Sequence, residues 1–411
     1  MCSFSTLRLS GSILLQLPIF TIKTLSRYHS HITSAITFLA TVKKDEPLVF
    51  QLKRFFAANK KYGSKDRKNI SSLCYGYYRI GNAMPNKTAE EKIIASLFLC
   101  NNKPNETLAA LAPQLNDKIT EDINTKCKIV SVDIKNIFAF TNQLSNEIDK
   151  TKFAASFLKQ PLLFIRPRLN KETQVAAKLK AENIAFEEIN KTCFALPTAT
   201  KIEEYFTLNK DLVIQDKNSQ QVFNYLQEKN INFATEPQVW DCCAASGGKS
   251  ILLYDILKGK LQLNVSDMRS SILNNLRIRF AAAGIKKYNA FVADILDAKT
   301  ILPKNKYDII ICDAPCTGSG TWARTPEQHS FFTEKSIGDY SSKQQKIATA
   351  VLPFLKKEGL FFYITCSAFK KENEDVVTFL AEKFKLKILQ QQYLKGYETQ
   401  ADTMFVAVMA F

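Results

Sequence analysis

Residues 307–320, YDIIICDAPCTGSG, decide how this chain is read. Ile309, Ile310 and Ile311 form a β-branched apolar run of the kind that fills a fully buried strand. The run stops at Asp313-Ala314-Pro315-Cys316, a loop that carries a carboxylate and a thiol together. In open α/β sheets ligands sit beyond the carboxyl ends of the strands, so this loop is a candidate site on physical grounds alone. The pattern returns at Leu360-Phe361-Phe362-Tyr363-Ile364-Thr365-Cys366-Ser367, a second buried strand ending in a cysteine. Cys316 and Cys366 are therefore read as partners.

The rest of the chain supplies a setting for that pair. Its 411 residues, 46% hydrophobic and 23% charged, allow two or three folded domains with ample cores. Fifty-six basic residues against 39 acidic ones leave a net charge of +17, which favours a polyanionic partner. Ten cysteines are scattered without the CxxC pairs that hold zinc, so free thiols in a reducing compartment are expected, with no metal. No stretch approaches the roughly 18 apolar residues of a membrane span. The first 44 residues contain no acid, which fits an organellar transit peptide or an over-extended start; export fits less well, because no small-residue cleavage site follows the apolar run at residues 13–20.

Residues 31–143 read as helices. Ser64 is a candidate N-cap. Ile70, Leu73, Cys74, Tyr77 and Tyr78 fall on one helical stripe, and Thr88 with Glu91 makes a capping box. Lys53, Arg54, Lys60, Lys61, Lys65, Arg67 and Lys68 meet only Asp66 in the same span, either as a phosphate-contacting face or as a solvated one. After Pro161 a strand, a helix over 171–182 and further strands at 184–189 and 193–196 suggest a small α+β module. From about Tyr205 strands alternate with helices as in a parallel, doubly wound sheet.

Within that last region Pro237-Gln238-Val239-Trp240-Asp241 runs into Cys242-Cys243-Ala244-Ala245-Ser246-Gly247-Gly248-Lys249-Ser250 and then a helix. Small residues and paired glycines between strand and helix let backbone approach a ligand. A second strand ends at Asp267, at the interval where such sheets present an acid to ribose hydroxyls, and Asp294 follows a third. A P-loop NTPase is a rival reading, since Gly248-Lys249-Ser250 matches the end of a Walker A motif and Asp313 could hold magnesium. Against it, Cys243 stands where that motif needs its first glycine, and Asp267, Asp294 and the cysteines would have no role. A dehydrogenase fares no better, because GxGxxG is missing.

Residues 241–249, Asp267, Asp294, Asp313 to Cys316 with Gly318 and Gly320, and Thr365-Cys366-Ser367 with Glu372-Asn373-Glu374 resemble, in order, the motifs of the RsmB (Sun/Fmu) type of S-adenosylmethionine-dependent RNA (cytosine-5)-methyltransferases. Ile214-Gln215-Asp216 with Ser219-Gln220 resembles the family's entry motif, residues 153–166 its pre-catalytic segment, and residues 62–67 part of the NusB-like helical domain of bacterial members. The chain departs from the pattern at Ser246 (usually proline), Thr317 (usually serine) and Arg324, where two arginines are common.

The resemblance implies an α/β fold: a Rossmann-like class I methyltransferase domain at 205–411, preceded by a small α+β module at 147–204 and an all-α NusB-like RNA-binding domain at 26–146, with residues 1–25 unassigned. It implies S-adenosylmethionine bound by Cys243, Ala244, Ala245, Ser246, Gly247, Gly248, Lys249, Asp267, Asp294 and Asp313. Among the catalytic residues, Cys366 would be the nucleophile, Cys316 would assist product release and Asp313 would contact the ring edge. The expected partner is RNA, with small-subunit ribosomal RNA favoured, acted on by a cytoplasmic monomer without membrane contact, or a mitochondrial one should residues 1–25 be a transit peptide. His329 is expected as a surface polar residue. A catalytically silent RNA-binding assembly factor on the same fold is the alternative of a different class.

Overall fold

The computed structural model describes residues 19–297, 299–300 and 302–411. The expectations for residues 1–18 lie outside the described residues; residues 19–25 begin the helix Ile19–Leu39. No helix among the described residues is long and apolar enough to cross a membrane. The chain packs as two compact units. One holds the described residues up to Thr141 together with Ala154–Lys159 and Thr325–Phe332; the other holds Asn142–Phe153, Gln160–Arg324 and Thr333–Phe411.

The first unit is helical, with Ile19–Leu39, Leu48–Ala58, Ser64–Arg79 and Ala89–Leu99 as its principal helices. Ser64 opens its helix but does not cap it. Gly63 is the N-cap, and the Asp66 carboxylate reaches back to accept from the Gly63 N–H at 3.2 Å. Ile70, Leu73, Cys74 and Tyr78 are buried on the expected stripe, with Tyr77 half-buried. Gly76 brings two helices together, since a Cβ there would stand 2.4 Å from Ser96 Oγ. The Thr88–Glu91 capping box is reciprocal: Thr88 Oγ1 accepts from the Glu91 N–H at 3.2 Å, and the Glu91 carboxylate accepts from the Thr88 N–H at 2.8 Å.

His329 belongs to this unit and is no surface residue: it is 3% exposed, with Nε2 2.5 Å from Ile137 O. An aromatic nest of Phe138 and Phe157 surrounds it. Burial lowers its pKa, so the ring is neutral and serves packing. A lone histidine among polar neighbours in sequence gave no hint that residues far away would enclose it.

The second unit contains two sheets. The smaller is antiparallel, in the order β2-β3-β1-β4, from β1 (Leu163–Pro167), β2 (Glu187–Asn190), β3 (Cys193–Leu196) and β4 (Leu212–Ile214). β1 carries Arg166, whose Nη1 donates to Asp255 Oδ2 at 2.5 Å and whose Nε donates to Gln215 Oε1 at 2.9 Å; Arg168 also grips Asp255. Asp255 lies on the helix Gly248–Ile256, so a buried ion cluster ties the small sheet to the helix that follows the glycine loop.

The larger sheet has β5 (Gln238–Asp241), β6 (Gln262–Asp267), β7 (Tyr288–Val292), β8 (Tyr307–Asp313), β9 (Leu355–Thr365), β10 (Lys387–Leu394) and β11 (Met404–Ala410) in the order β10-β11-β9-β8-β5-β6-β7. β9-β8-β5-β6-β7 pair in parallel, and β11 runs antiparallel between β9 and β10. Val239, Ile309, Ile311, Phe362 and Val406 share one buried core, which explains why the central strands read as apolar runs. The strand order reverses between β5 and β8, and the site is built at that switch point.

Candidate active site

A cleft of about 420 Å³ opens at the carboxyl ends of β5, β6, β7, β8 and β9. Its walls include Cys243, Ala245, Asp267, Asp294, Asp313, Cys316 and Cys366. The two strands singled out in the sequence do end beside one another: β8 pairs with β9, Asp313 lies opposite Ile364, and the Cys316 and Cys366 sulfurs are 3.4 Å apart. The hydrogen bond to Cys366, followed by burial, drives the Cys316 thiol well up. That keeps the Cys316 thiol protonated.

Cys243 and Ala245 of the glycine loop stand on the opposite wall. Gly247 takes φ 82° and caps the helix Gly248–Ile256, and a Cβ there would come within 2.6 Å of Phe280. At Gly248 a Cβ would meet nothing within 4 Å, so the backbone at the helix start stands open to a ligand. Asp267 is 7% exposed and already partnered: Oδ2 accepts from the Ala245 N–H at 3.1 Å, and Oδ1 accepts from the Arg269 N–H at 2.9 Å and Nε at 3.2 Å. Only the Arg269 side chain, 58% exposed, would have to swing aside to free a carboxylate edge. Asp294 is exposed at the cleft and receives the Leu296 N–H at 3.1 Å.

Other expected residues stand differently. Ala244, Ser246, Gly247 and Gly248 are not among the lining residues. The Ser246 carbonyl and hydroxyl both accept from Arg279 Nη1, at 3.0 and 2.7 Å, which accounts for a polar residue where the family pattern has proline. Lys249 also lies off the wall and donates to Asp313 Oδ2 at 2.9 Å. Burial opposes its charge, but the Asp313 carboxylate, with lesser help from Cys366 and Asp241, outweighs it and raises the ammonium pKa.

In the P-loop alternative the Ser250 hydroxyl would have to join Asp313 on magnesium, but it is fully buried and donates to Asp241 Oδ2 at 2.6 Å. Asp241, itself buried with Oδ1 unpartnered, is pushed by burial up to about 7. Arg324 is likewise spoken for. Its Nη2 donates to Asp216 Oδ2 at 2.7 Å, Nε to Asp402 Oδ1 at 2.6 Å and Nη1 to the Leu162 carbonyl at 3.0 Å, so this guanidinium braces loops within its unit.

What the sequence did not reveal is the frame behind the cysteines. Glu372, fully buried, accepts from the Thr317 N–H at 2.9 Å, Thr317 Oγ1 at 2.5 Å, Ser367 Oγ at 2.7 Å and Gln344 Nε2 at 2.9 Å. Asn373 Oδ1 accepts from Thr365 Oγ1 at 2.6 Å, while its Nδ2 donates to Ser367 O at 2.8 Å. These two residues clamp the loops on which Cys316 and Cys366 ride. Gly320 completes the clamp. Its N–H donates to Cys366 O at 2.9 Å, and a Cβ there would fall 2.0 Å from Thr403 O. Tyr340 and Lys343, from the helix Lys335–Val351, add the remaining polar lining; only their spacing of three residues on one helical face hinted at a shared role.

A parallel sheet with its last strand inserted antiparallel, a glycine loop after the first strand and acids beyond the next three defines a class I, Rossmann-like methyltransferase domain. The sequence profile of the family described as 16S rRNA methyltransferase RsmB/F matches residues 229–408. The chain is 28% identical over 206 residues to the probable ribosomal RNA small subunit methyltransferase B of Bacillus subtilis, covering 49% of this chain and 44% of that protein. It is 28% identical over 167 residues to the human tRNA (cytosine(72)-C(5))-methyltransferase NSUN6, covering 38% of this chain and 35% of that one. The chain thus spans less than half the length of either relative. The crystal structure of NSun6 from Pyrococcus horikoshii with SFG shares the fold, with a TM-score of 0.55 at 14% identity over 66% of this chain and 96% of that one.

Proposed function

We propose that this protein transfers a methyl group from S-adenosylmethionine to carbon 5 of a cytosine in RNA through a covalent cysteine–cytosine adduct, with small-subunit ribosomal RNA as the substrate. The observation that carries this reading is the pair of sulfurs 3.4 Å apart in the same cleft as Asp313, Asp267 and Asp294. The names of the bacterial relatives favour ribosomal RNA, and that of the human one keeps transfer RNA as the second substrate class.

The cofactor fits the residues present. Cys243 and Ala245 of the glycine loop and the carboxylates of Asp267 and Asp294 line the cleft, and the backbone at Gly248 is uncovered, which gives a polar rim of the kind a nucleoside with ribose hydroxyls needs. When bound there, S-adenosylmethionine supplies an electrophilic methyl group.

The chain's own residues supply the rest. Carbon 5 of cytosine is a poor nucleophile, so the Cys366 thiolate adds to carbon 6 and pushes electron density onto carbon 5. Asp313 lies where it can hydrogen-bond the activated ring, and Lys249 holds Asp313 in place at 2.9 Å. After carbon 5 is methylated, water in the cleft takes its proton, the electron pair of that C–H bond restores the ring, and the carbon 6–sulfur bond breaks to release the Cys366 thiolate. Cys316, beside the adduct, assists that second half by donating its S–H to the departing sulfur. A base inside a stacked helix cannot reach such a cleft, so the target is single-stranded or extruded.

The test uses denaturing gels on enzyme incubated with substrate RNA and cofactor. Cys366→Ala should give neither methylated RNA nor a protein–RNA adduct. Cys316→Ala should accumulate a methylated adduct that survives denaturation, and the double variant should give none. Normal turnover by Cys366→Ala would overturn the mechanism, and a trapped adduct in that variant would exchange the two roles.

A further inference from the structure

Three cysteines without a part in that covalent step lie together at the base of the cleft. Cys242 and Cys243 directly follow β5, and Cys312 is the penultimate residue of β8. Because β5 and β8 are parallel neighbours with Asp241 level with Ile311, Cys242 and Cys312 come side by side, and the Cys242 N–H donates to Ile311 O at 3.0 Å. The three Sγ atoms all lie within 4.8 Å of one another. Cys242 is 1% exposed and Cys312 fully buried, whereas Cys243 is partly exposed and reaches the cleft wall.

Three soft donors converging from two adjacent strands, with one open edge, match what a thiophilic cation requires. A zinc–thiolate bond is about 2.3 Å, which puts the sulfurs of a tetrahedral centre about 4 Å apart, close to the spacing the strands already impose. Among the described residues no fourth His, Cys, Asp or Glu atom joins the group, so a fourth ligand must be water entering through the cleft beside Cys243. Charge selects a divalent ion. Three thiolates around a 2+ cation leave one net negative charge in a buried place, while a monovalent ion would leave two.

We propose that Cys242, Cys243 and Cys312 form a trithiolate binding site for a thiophilic divalent cation of the zinc class, entered from the cofactor cleft. Binding breaks three S–H bonds and forms three metal–sulfur bonds, with the three protons released to solvent and no change of oxidation state. Cys243 is shared between this site and the cleft wall, so an occupied site draws part of that wall toward β8.

The experiment titrates the full-length, reduced protein with zinc against a chromophoric chelator, and with cadmium while recording sulfur-to-metal charge-transfer absorption. One equivalent should bind the wild type and also the Cys316→Ala/Cys366→Ala double variant. Affinity should fall by more than about 100-fold in Cys242→Ala and in Cys312→Val; the second of these keeps an apolar side chain in the core should the first unfold. X-ray absorption on the cadmium-loaded wild type should count three sulfur neighbours. An equivalent that survives Cys312→Val but is lost with Cys316 and Cys366, a count of two sulfurs, or no stoichiometric binding would each overturn the proposal.

Discussion

The two walls of the cleft are held by different means. On the glycine-loop side, Ala245, Asp267 and Asp294 are fixed by backbone hydrogen bonds with residues near in sequence or one strand away, and the one removable partner, Arg269, is mostly exposed. On the cysteine side, both loops hang from Glu372 and Asn373, fully buried and hydrogen-bonded to residues as distant as Thr317 and Gln344. The first wall can yield to admit a nucleoside. The second cannot move one sulfur without disturbing the other. A reaction that must add and then expel a thiolate needs that rigidity, because sub-ångström displacement of a nucleophile is costly.

The largest effect is expected where the rigid wall is cut. Glu372→Ala strands the Thr317 amide, the Ser367 hydroxyl and the Gln344 amide in a dry interior, and should cost about 3–5 kcal/mol of stability by denaturant unfolding. Glu372→Gln should lose less in stability and still turn over slowly, with cofactor affinity unchanged by calorimetry; an equal loss of cofactor binding would mean the two walls are not independent. On the yielding wall, Asp267→Ala should weaken S-adenosylmethionine binding by about 1.5–3 kcal/mol with little change in melting temperature. Unchanged affinity in the folded variant would remove Asp267 from the cofactor site.

Beneath both walls, Asp241 sets a pH dependence. Burial raises its carboxyl to about 7 in the folded state, while the unfolded value is about 3.9. Below about pH 4 both states are protonated and nothing is lost. Between about pH 4 and 7 only the unfolded state ionises, so stability falls as pH rises, and it levels off above. Asp402, also pushed up to about 7, chiefly by burial and then by Asp216, adds to the same fall. Asp241→Asn should therefore flatten part of this slope and stabilise the protein by about 1–2 kcal/mol at pH 8 relative to pH 5; a slope identical to wild type would show that Asp241 is ionised in the native state.

The smallest effect per residue is expected outside the cleft. Lys53, Lys60, Lys65 and Lys68 are exposed and carry no ion pair among the described residues, whereas Arg54 is paired with Glu46, and Asp66 is occupied by Arg27 and His31. Replacing Lys60, Lys61, Lys65 and Lys68 by Ala should weaken RNA binding and lower the slope of log affinity against log salt by about 0.7–0.9 for each phosphate no longer neutralised, leaving cofactor affinity alone. An unaltered slope would assign this face to solvent.

Much of this was written in local pattern. The apolar runs of β8 and β9 announce central strands because both their faces are covered, and acids or thiols at their ends announce a site because strand ends are where a parallel sheet exposes functional groups. The Thr88–Glu91 box is legible because its two partners are three residues apart. Glu372 was visible as part of a motif, yet nothing local tells that it binds Thr317, 55 residues earlier. His329 was misjudged for the same reason: a polar side chain looks free until the segments that enclose it are in place. The succession of strands and helices, the chemical types brought to the sheet edge and the charge of the chain follow from the residues in their order, because each depends on neighbours within a turn or a strand. The 3.4 Å between Cys316 and Cys366, the burial of Glu372 and the meeting of Cys242, Cys243 and Cys312 belong to the folded chain alone. Strand pairing and desolvation join residues that the chain keeps far apart, and their energies have no expression until the sheet closes.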